Sequence, residues 1–301
     1  MSAMQLPPGL TERPLRLADA AAVTAVMAAE QALFAGKVSI EEADIVGDWS
    51  RPSADVEGTT VGVFDGNQLV GYAEAGPAGR GDAAVLPEHH GRGIGTALAT
   101  WMVERARSQG QSVIDMPVLA GSPGEQLLRG LGWEVRWHSW ALVFPEGTHI
   151  DERPLPEGYR IRVAESDDDR RAAWHVIEDA FLEWSEREKD PYEEWIAGVV
   201  RRPGFEPWNL RVAVDAAGEV VGGLHVVLAA EAGYVDKVAV RRDQRGRGLA
   251  RALLADAFAV AREHGATRSE LSTDSRTGAL DLYLGLGMVV DEDWVNLGIR
   301  P

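Results

Sequence analysis

The sequence predicts an α/β protein made of two copies of one domain. A β-branched strand, a loop rich in arginine and glycine and an apolar-faced helix follow one another across residues 234–263. The same order, with a similar loop, occurs across residues 83–110. His90 and Arg245, which begin the two loops, lie 155 positions apart, and the later Gly-Leu-Gly runs at 130 and 285 keep the same offset. A block that repeats over this length without a gap indicates a duplication.

In the first half, Arg13–Leu17 has the pattern of a short strand, and Asp19 is a suitable N-cap for the alanine-rich helix that follows. Two strands across residues 61–72 enclose a glycine-bearing turn and predict a hairpin. The next predicted elements are a strand at 83–86, a helix to about Gly110, a strand at 112–116 and a last strand ending near Phe144.

The second half repeats this order. A strand is predicted at Tyr159–Val163, with Asp167 as the candidate cap of the next helix. Strands at 212–214 and 220–227 predict a hairpin. In the helix that follows the loop at 245–251, the apolar side chains at 249, 253, 257 and 260 share one face, and Gly265 is a plausible stop. The proline, glycine and charged residues of 145–158 mark the linker. We therefore expect an N-terminal domain at 1–148, a linker at 149–154 and a C-terminal domain at 155–301.

The composition excludes several classes of protein. The 301 residues include no cysteine, which removes disulfides and thiolate metal sites and fits a cytoplasmic location. The net charge is −17, and acidic residues outnumber basic ones in both halves, so no nucleic-acid partner is expected. The sequence begins without a basic region followed by an apolar run, and we expect neither a signal peptide nor a membrane partner.

The loop at 245–251 has the composition of a phosphate or diphosphate site. A strand that enters a helix through glycines leaves the first N–H groups of the helix pointing at one place, where the helix dipole favours negative charge. Gly246 and Gly248 let the backbone come close to a bound anion, and the arginines of the loop add cationic hydrogen-bond donors.

Two other phosphate motifs do not fit this loop. A P-loop needs Lys-Ser or Lys-Thr after its last glycine, where this chain has Leu249-Ala250. A dinucleotide fingerprint needs a third glycine, where this chain has Arg251. A tight strand–helix turn with solvated arginines stays open as the alternative.

Two segments resemble the GNAT family of N-acetyltransferases. The pattern Arg-x-x-Gly-x-Ala at 245–250, after a valine-rich strand, is similar to the family's acetyl-CoA loop. Residues 279–288 resemble the family's Ala-x-x-x-Tyr-x-x-x-Gly-Phe segment, with Tyr283 in the place of the tyrosine and Met288 in that of the aromatic residue. The tandem arrangement and the run 277–283 resemble the mycothiol synthase-like branch, although the asparagine and glutamate usual there are not clearly matched.

The resemblance implies two tandem GNAT-like domains, each with a mixed, mostly antiparallel, centrally splayed sheet flanked by helices. It also implies acetyl-CoA as the co-substrate, and we assign no metal. The residues expected to bind acetyl-CoA belong to the strand end and the loop: Val238, Ala239, Val240, Arg245, Gly246, Arg247, Gly248, Leu249, Ala250 and Arg251.

The resemblance places catalysis in the C-terminal domain. There Tyr283 would protonate the leaving thiolate, whereas the first copy has Leu128 at the matching position, which cannot donate a proton. Glu231 and Asp236 are the candidates for the general base. Two alternatives stay open: Tyr283 is a core residue that only packs, and Glu231 and Asp236 are ordinary surface acids. The N-terminal copy is expected to be a degenerate structural platform, and CoA binding through its loop at 91–95 stays open.

The expected function is acetyl-CoA-dependent N-acetylation of a small-molecule primary amine by direct transfer, in a monomer or homodimer. The segment 181–208 mixes aromatic and acidic residues that suit an amine, although an amphipathic lid would show the same pattern. A non-catalytic acyl-CoA-binding or sensing protein is the alternative from another class.

Overall fold

The computed structural model describes residues 4–151, 154–185 and 187–301. Part of the predicted linker (Glu152 and Arg153) and one residue of the predicted acceptor segment (Glu186) lie outside the described residues. The strands are β1 (Leu10–Arg13), β2 (Thr60–Asp65), β3 (Gln68–Ala75), β4 (Gly81–Val85), β5 (Ile114–Leu119), β6 (Glu134–Val143), β7 (Arg160–Val163), β8 (Leu210–Val214), β9 (Val220–Ala229), β10 (Ala232–Val240), β11 (Arg268–Asp274) and β12 (Val289–Ile299). The helices are α1 (Ala20–Phe34), α2 (Glu42–Trp49), α3 (Val56–Thr59), α4 (Ile94–Ser108), α5 (Pro123–Gly130), α6 (Asp167–Phe181), α7 (Tyr192–Val199), α8 (Leu249–Glu263) and α9 (Leu280–Gly285).

The chain forms two compact units. The first unit is Met1–Ser139 together with Glu292–Pro301, and the second is Trp140–Asp291. The divisions therefore fall inside β6 and β12, whereas the duplication in the sequence predicted a division at the linker, 149–154. A strand can begin in one unit and end in the other, which a repeat offset cannot show.

In the first unit, strands β1, β2, β3 and β4 form an antiparallel sheet in that order. The unit also contains the antiparallel pair of β5 with the end of β12, in which Val295 lies opposite Val118. Leu297, from β12, is fully buried in the core of this unit together with Leu98 of α4. The last ten residues of the chain thus complete the first copy of the domain.

In the second unit, the strand order is β11-β10-β9-β8-β7. The pair β10–β11 is parallel and the other pairs are antiparallel, which confirms the mixed, mostly antiparallel sheet. Helices cover both faces of this sheet. A Cβ built on Gly222 would meet Leu253 of α8 at 3.0 Å, whereas one on Gly223 would meet Ile177 of α6 at 3.2 Å. Even-numbered residues near this part of β9 therefore face α8, and odd-numbered ones face α6.

The duplication is visible in the backbone of the two units. α4 begins at Ile94 and α8 at Leu249, and each helix has 15 residues. The glycine before each helix has a left-handed conformation, with φ of 87° at Gly93 and 81° at Gly248. Such a conformation is costly for residues with a Cβ, which explains glycine at both sites.

The position of the first strand and the start of α6 differ from those predicted from the sequence. The first strand lies at Leu10–Arg13, because residues 17–19 form a 3-10 turn that leads into α1. The N-cap of α6 is Ser166, whose hydroxyl accepts a hydrogen bond from the Asp169 N–H at 3.0 Å, while Asp167 is the first helical residue. A serine followed three residues later by an acidic residue forms a capping box, and this arrangement favours the earlier start.

One helical segment, residues 17–34, is long and apolar enough by length and composition to cross a membrane. Its buried residues Ala20, Val23 and Val26 are spaced as on one helix face and lie in the core of the first unit. Only 17% of the segment is buried, and a single helix of this kind near the N-terminus is weak evidence for a membrane span.

Candidate active site

The candidate active site begins where two strands of the second unit separate. β10 pairs with β11 only from Ala232 to Val235, while it pairs with β9 as far as Val240. The Arg241 N–H donates to the Val221 carbonyl at 2.8 Å, so by alternation the N–H groups of Val238 and Val240 point away from β9. Within the described residues these groups face an open strand edge, the splay that the family resemblance implies.

A β-bulge lies just before this open edge. The register of β10 against β9 shifts between Val235 and Lys237, which leaves Asp236 as the extra residue. A bulge changes the direction of side chains and increases the local twist of a strand. Here it coincides with the end of the β10–β11 pairing, so it marks the point at which the cleft opens.

The open edge leads directly into the predicted phosphate loop. The first backbone hydrogen bond of α8 runs from the Ala252 N–H to the Gly248 carbonyl at 3.0 Å. Among the described residues, the N–H groups of 246–251 donate to no backbone acceptor. Such groups at a helix start, together with the helix dipole, form a site for an anion. The structure thus brings the strand end and the loop together in the order that the sequence predicted.

The arginines of the loop are held by neighbouring groups of the second unit. Arg245 donates through Nε to the Val240 carbonyl at 3.0 Å and forms a bidentate ion pair with Glu183 at 2.7 and 2.8 Å. Arg247 lies 3.4 Å from the Tyr159 hydroxyl, and Arg251 donates to the Asp151 carbonyl at 3.0 Å. To bind a diphosphate through its outer nitrogens, Arg245 has to exchange Glu183 for the ligand.

Matched glycine variants can separate backbone strain from ligand binding. Gly248→Ala and Gly93→Ala each place a Cβ in a left-handed conformation where no atom lies within 4 Å. Both are therefore expected to lower the free energy of unfolding by about 1 kcal/mol. Only Gly248→Ala is expected to weaken CoA binding in calorimetry. An equal affinity for CoA in both variants and the wild type would remove the loop from the site.

Tyr283 lies in the same apolar cluster as the strand end and the helix start. It is 7% exposed and belongs to the buried cluster that also contains Val240 and Leu249. Its hydroxyl makes no hydrogen bond within the described part of the chain. Burial raises the pKa of Tyr283 to about 12, so the phenol keeps its proton at neutral pH. A protonated hydroxyl without a partner is available to donate to a ligand.

The two predicted bases are placed very differently. Asp236 lies at the bulge, two residues before Val238, and its carboxylate contacts His225 at 3.0 Å and Lys237 at 2.6 Å. Glu231 lies before the first residue of β10, where its carbonyl accepts from Thr267 and Arg268. Val238 lies seven positions further along the chain, roughly 23 Å at the rise of a β-strand. The structure therefore does not bring Glu231 to the cleft.

The carboxyl of Asp236 is a weak base in this setting. Burial alone would raise its pKa, but the Lys237 ammonium and the hydrogen bond from His225 outweigh burial and hold the pKa well below its usual range. The group therefore stays ionised and firmly bound at neutral pH. A general base works best with a pKa close to the operating pH, which Asp236 does not have.

Part of the predicted acceptor segment lies beside the loop. Besides the contact between Glu183 and Arg245, the guanidinium of Arg276 lies 4.9 Å from the ring of Trp184. The buried Glu178 of α6 fixes the following residues, since it accepts from both outer nitrogens of Arg187 and from the Asp190 N–H. Sequence reasoning did not single out Glu183 for the loop, because 62 residues separate it from Arg245.

The matching cleft of the first unit is occupied by its own side chains. The Val85 N–H corresponds to that of Val240, and it donates to the Glu30 carboxylate of α1 at 3.0 Å. The Val85 carbonyl is 2.8 Å from His90 Nε2, the counterpart of Arg245, and the His90 ring stacks on Phe34. Leu128 is buried at the position that corresponds to Tyr283. These contacts fit the expectation of a degenerate copy.

Comparison with known proteins identifies relatives of the chain. The sequence model of the acetyltransferase (GNAT) family matches residues 24–122 and again residues 170–288. The mycothiol acetyltransferase of Salinispora arenicola is 31% identical over 261 residues, covering 78% of this chain and 79% of that protein. The mycothiol acetyltransferase of Thermobispora bispora is 29% identical over 240 residues, covering 75% and 78%.

Solved structures agree with this assignment. The GCN5-related N-acetyltransferase of Sphaerobacter thermophilus has a TM-score of 0.75 at 26% identity and covers 99% of this chain and 98% of its own. A tandem GNAT protein from the clavulanic acid pathway shares the fold, with a TM-score of 0.71 at 17% identity and coverage of 97% and 98%. With two matched copies spanning most of its length, the chain belongs to the GNAT family as a tandem-domain acyltransferase.

Proposed function

We propose that the protein is an acetyl-CoA-dependent N-acetyltransferase that acts on a small-molecule primary amine, with catalysis in the C-terminal copy. The observations that support this proposal are the open edge of β10, the N–H groups of 246–251 that donate to no described backbone acceptor, and the Tyr283 hydroxyl without a described partner, in the same buried cluster as Val240 and Leu249. The open edge suits the amide-bearing arm of CoA, and the loop suits its diphosphate. All three features lie in the second unit.

The proposed reaction needs no nucleophile from the protein. The neutral amine attacks the thioester carbonyl, and negative charge develops on the carbonyl oxygen. The N–H of Val238, which points away from β9, is the donor proposed to stabilise that charge. The C–S bond then breaks, and the thiolate takes a proton from Tyr283. The pKa of Tyr283, raised by burial to about 12, means that the phenol carries this proton at neutral pH.

The acceptor belongs to a narrower proposal. Aromatic and acidic residues of the segment 181–208, including Glu183 and Trp184 beside the loop, support a cationic amine. The similarity to the mycothiol acetyltransferases, at 29% and 31% identity, supports the acceptor of those enzymes as the second candidate. Measuring acetylation of a panel of amines that includes the acceptor of the mycothiol acetyltransferases separates these two candidate acceptors.

The test of the proposal is CoA release by the intact chain. Acetyl-CoA is mixed with each amine, and the free thiol and the acetylated amine are both measured. Amine-dependent release with a matching amount of product is expected. If acetyl-CoA binds in calorimetry and no amine in the panel releases CoA, the non-catalytic acyl-CoA-binding alternative is favoured.

The first unit leads to a prediction about stoichiometry. Because Glu30 and His90 already occupy the backbone groups of Val85, calorimetry is expected to find one CoA per chain. The loop variant Arg92→Glu, in the first unit, is expected to leave CoA affinity unchanged. Two sites per chain would show that the contacts of Val85 can be displaced and that both copies bind the cofactor.

A further inference from the structure

His225 is a buried histidine that contacts the bulge of β10. His225 lies on β9 opposite Lys237 and is 2% exposed. The Nδ1 atom of its ring lies 3.0 Å from Asp236 Oδ2. The Asp236 side chain is 35% exposed and reaches solvent on the other side of this contact. The pair therefore joins a buried ring to a partly exposed carboxylate.

The surroundings determine where the proton of the ring lies. Burial lowers the pKa of His225, an effect that its contact with Asp236 opposes and the charges of Lys237 and Arg202 reinforce. The ring is therefore neutral at neutral pH. A neutral ring beside an ionised carboxylate carries its proton on the nearer nitrogen, so Nδ1–H donates to Asp236 and Nε2 keeps a lone pair. Nε2 has no hydrogen-bond partner within the described residues.

The position of the ring suits a base for the acceptor. Odd-numbered residues of this part of β9 face α6, the helix that leads into Glu183 and Trp184. Across the strand pair, Lys237 lies opposite His225 and is the residue before Val238. A paired strand is about 5 Å away and the ring is 2% exposed, so a proton from an amine near the Val238 N–H would pass to Nε2 through a water.

We propose that His225, rather than Asp236, is the general base of the transfer, with Asp236 as the residue that positions it. This inference rests on the proposed function. The acceptor ammonium gives one proton to Nε2, and the resulting imidazolium is stabilised by Asp236 before it releases the proton to water. The amine nitrogen then bonds to the carbonyl carbon. The nitrogen then carries two protons, of which one stays on the amide and the other is lost to solvent. Tyr283 gives its proton to the thiolate and later takes one back from solvent, so the protons balance.

The pairing explains why the sequence alone pointed to Asp236. Eleven residues and a turn separate His225 from Asp236, and only the antiparallel pairing of β9 with β10 brings them together. The charges of the two side chains also fit the two proposed roles. The strongly ionised carboxylate orients the ring, and the neutral ring accepts the proton.

The test compares kcat as a function of pH in the intact wild type, His225→Gln and Asp236→Asn. Wild-type kcat is expected to fall on the acidic side at a pH below the usual histidine pKa of about 6.5, because burial lowers the pKa of His225 and protonation of Nε2 removes the base. His225→Gln is expected to lower kcat about 100-fold or more and to lose this limb, with KM for acetyl-CoA unchanged. Asp236→Asn is expected to move the limb to lower pH. The control His264→Gln should keep the wild-type profile.

The outcomes separate this inference from the proposed function. If the wild type releases CoA with an amine and His225→Gln keeps both kcat and the acidic limb, His225 is not the base. If the wild type shows no amine-dependent release, the proposed function fails and the inference fails with it. Nitrogen NMR of the unmodified chain gives a result that does not depend on any variant folding. The Nδ1–H tautomer of His225 is expected at pH 7.5, and an Nε2–H tautomer or a charged ring would overturn the proposal.

Discussion

Replacing Tyr283 with phenylalanine is expected to lower kcat about 100-fold, the lower end of the range for loss of a general acid. The phenyl ring fills the same space in the apolar cluster that contains Val240 and Leu249, and the hydroxyl has no hydrogen bond to a described residue that the change would break. Stability and CoA affinity are therefore expected to stay close to those of the wild type. Steady-state kinetics with saturating acetyl-CoA, together with calorimetry, measure both quantities.

The control for this variant is a second buried tyrosine. Tyr72 of the first unit is 1% exposed, and Tyr72→Phe removes a phenol hydroxyl outside the candidate active site. Turnover per folded molecule is expected to be unchanged in Tyr72→Phe. If Tyr283→Phe also turned over at the wild-type rate, the thiolate would have to take its proton from water, and Tyr283 would be a packing residue only.

Replacing Arg245 with glutamate is expected to weaken CoA binding about 100-fold. The variant loses charge-assisted hydrogen bonds to the diphosphate, worth roughly 3 kcal/mol, and every 1.4 kcal/mol corresponds to a factor of ten in affinity. It also places a second carboxylate beside Glu183, which Arg245 contacts at 2.7 and 2.8 Å in the wild type. Calorimetry at one fixed salt concentration measures the change, because phosphate contacts depend on ionic strength.

Glu183→Gln tests the same contact from the other side. This change breaks the ion pair and leaves Arg245 free to reach a diphosphate. If Arg245 grips the ligand, the affinity for CoA is expected to stay the same or to rise, the opposite direction from Arg245→Glu. A similar loss of affinity in both variants would show that the ion pair only holds the 181–184 turn in place and that Arg245 does not contact CoA.

The backbone of the candidate site was predictable from the sequence because it is local. Glycines at 246 and 248, an apolar helix face and a preceding valine-rich strand fix the turn within about 20 residues, and the duplication repeats the same turn at 91 and 93. Tyr283 was singled out by the family resemblance of residues 279–288, and the offset of 155 shows Leu128 at the matching position of the first copy.

The contacts across the sheet were not predictable from the sequence. The bulge at Asp236 depends on how β10 pairs with β9, and the contact with His225 follows from that register. Glu183 reaches Arg245 from a helix end 62 residues earlier. Local patterns give each residue its strand or helix, but strand register and helix packing decide which side chains meet. Glu231 is the opposite case, a residue close to the site in sequence and far from it in the structure. It comes directly before β10, but lies roughly 23 Å along the strand from Val238.

The division inside β6 and β12 has a consequence for how the two copies can be studied. Cutting the gene at the linker would give neither copy all the residues that belong to it. A fragment that stops before residue 149 lacks Val295 and Leu297, which are buried in the core of the first unit, and a fragment that starts at 155 lacks Leu142 and Phe144 of the second. Changes at residues 292–301 are therefore expected to destabilise the first unit, although these residues follow the second copy in the sequence.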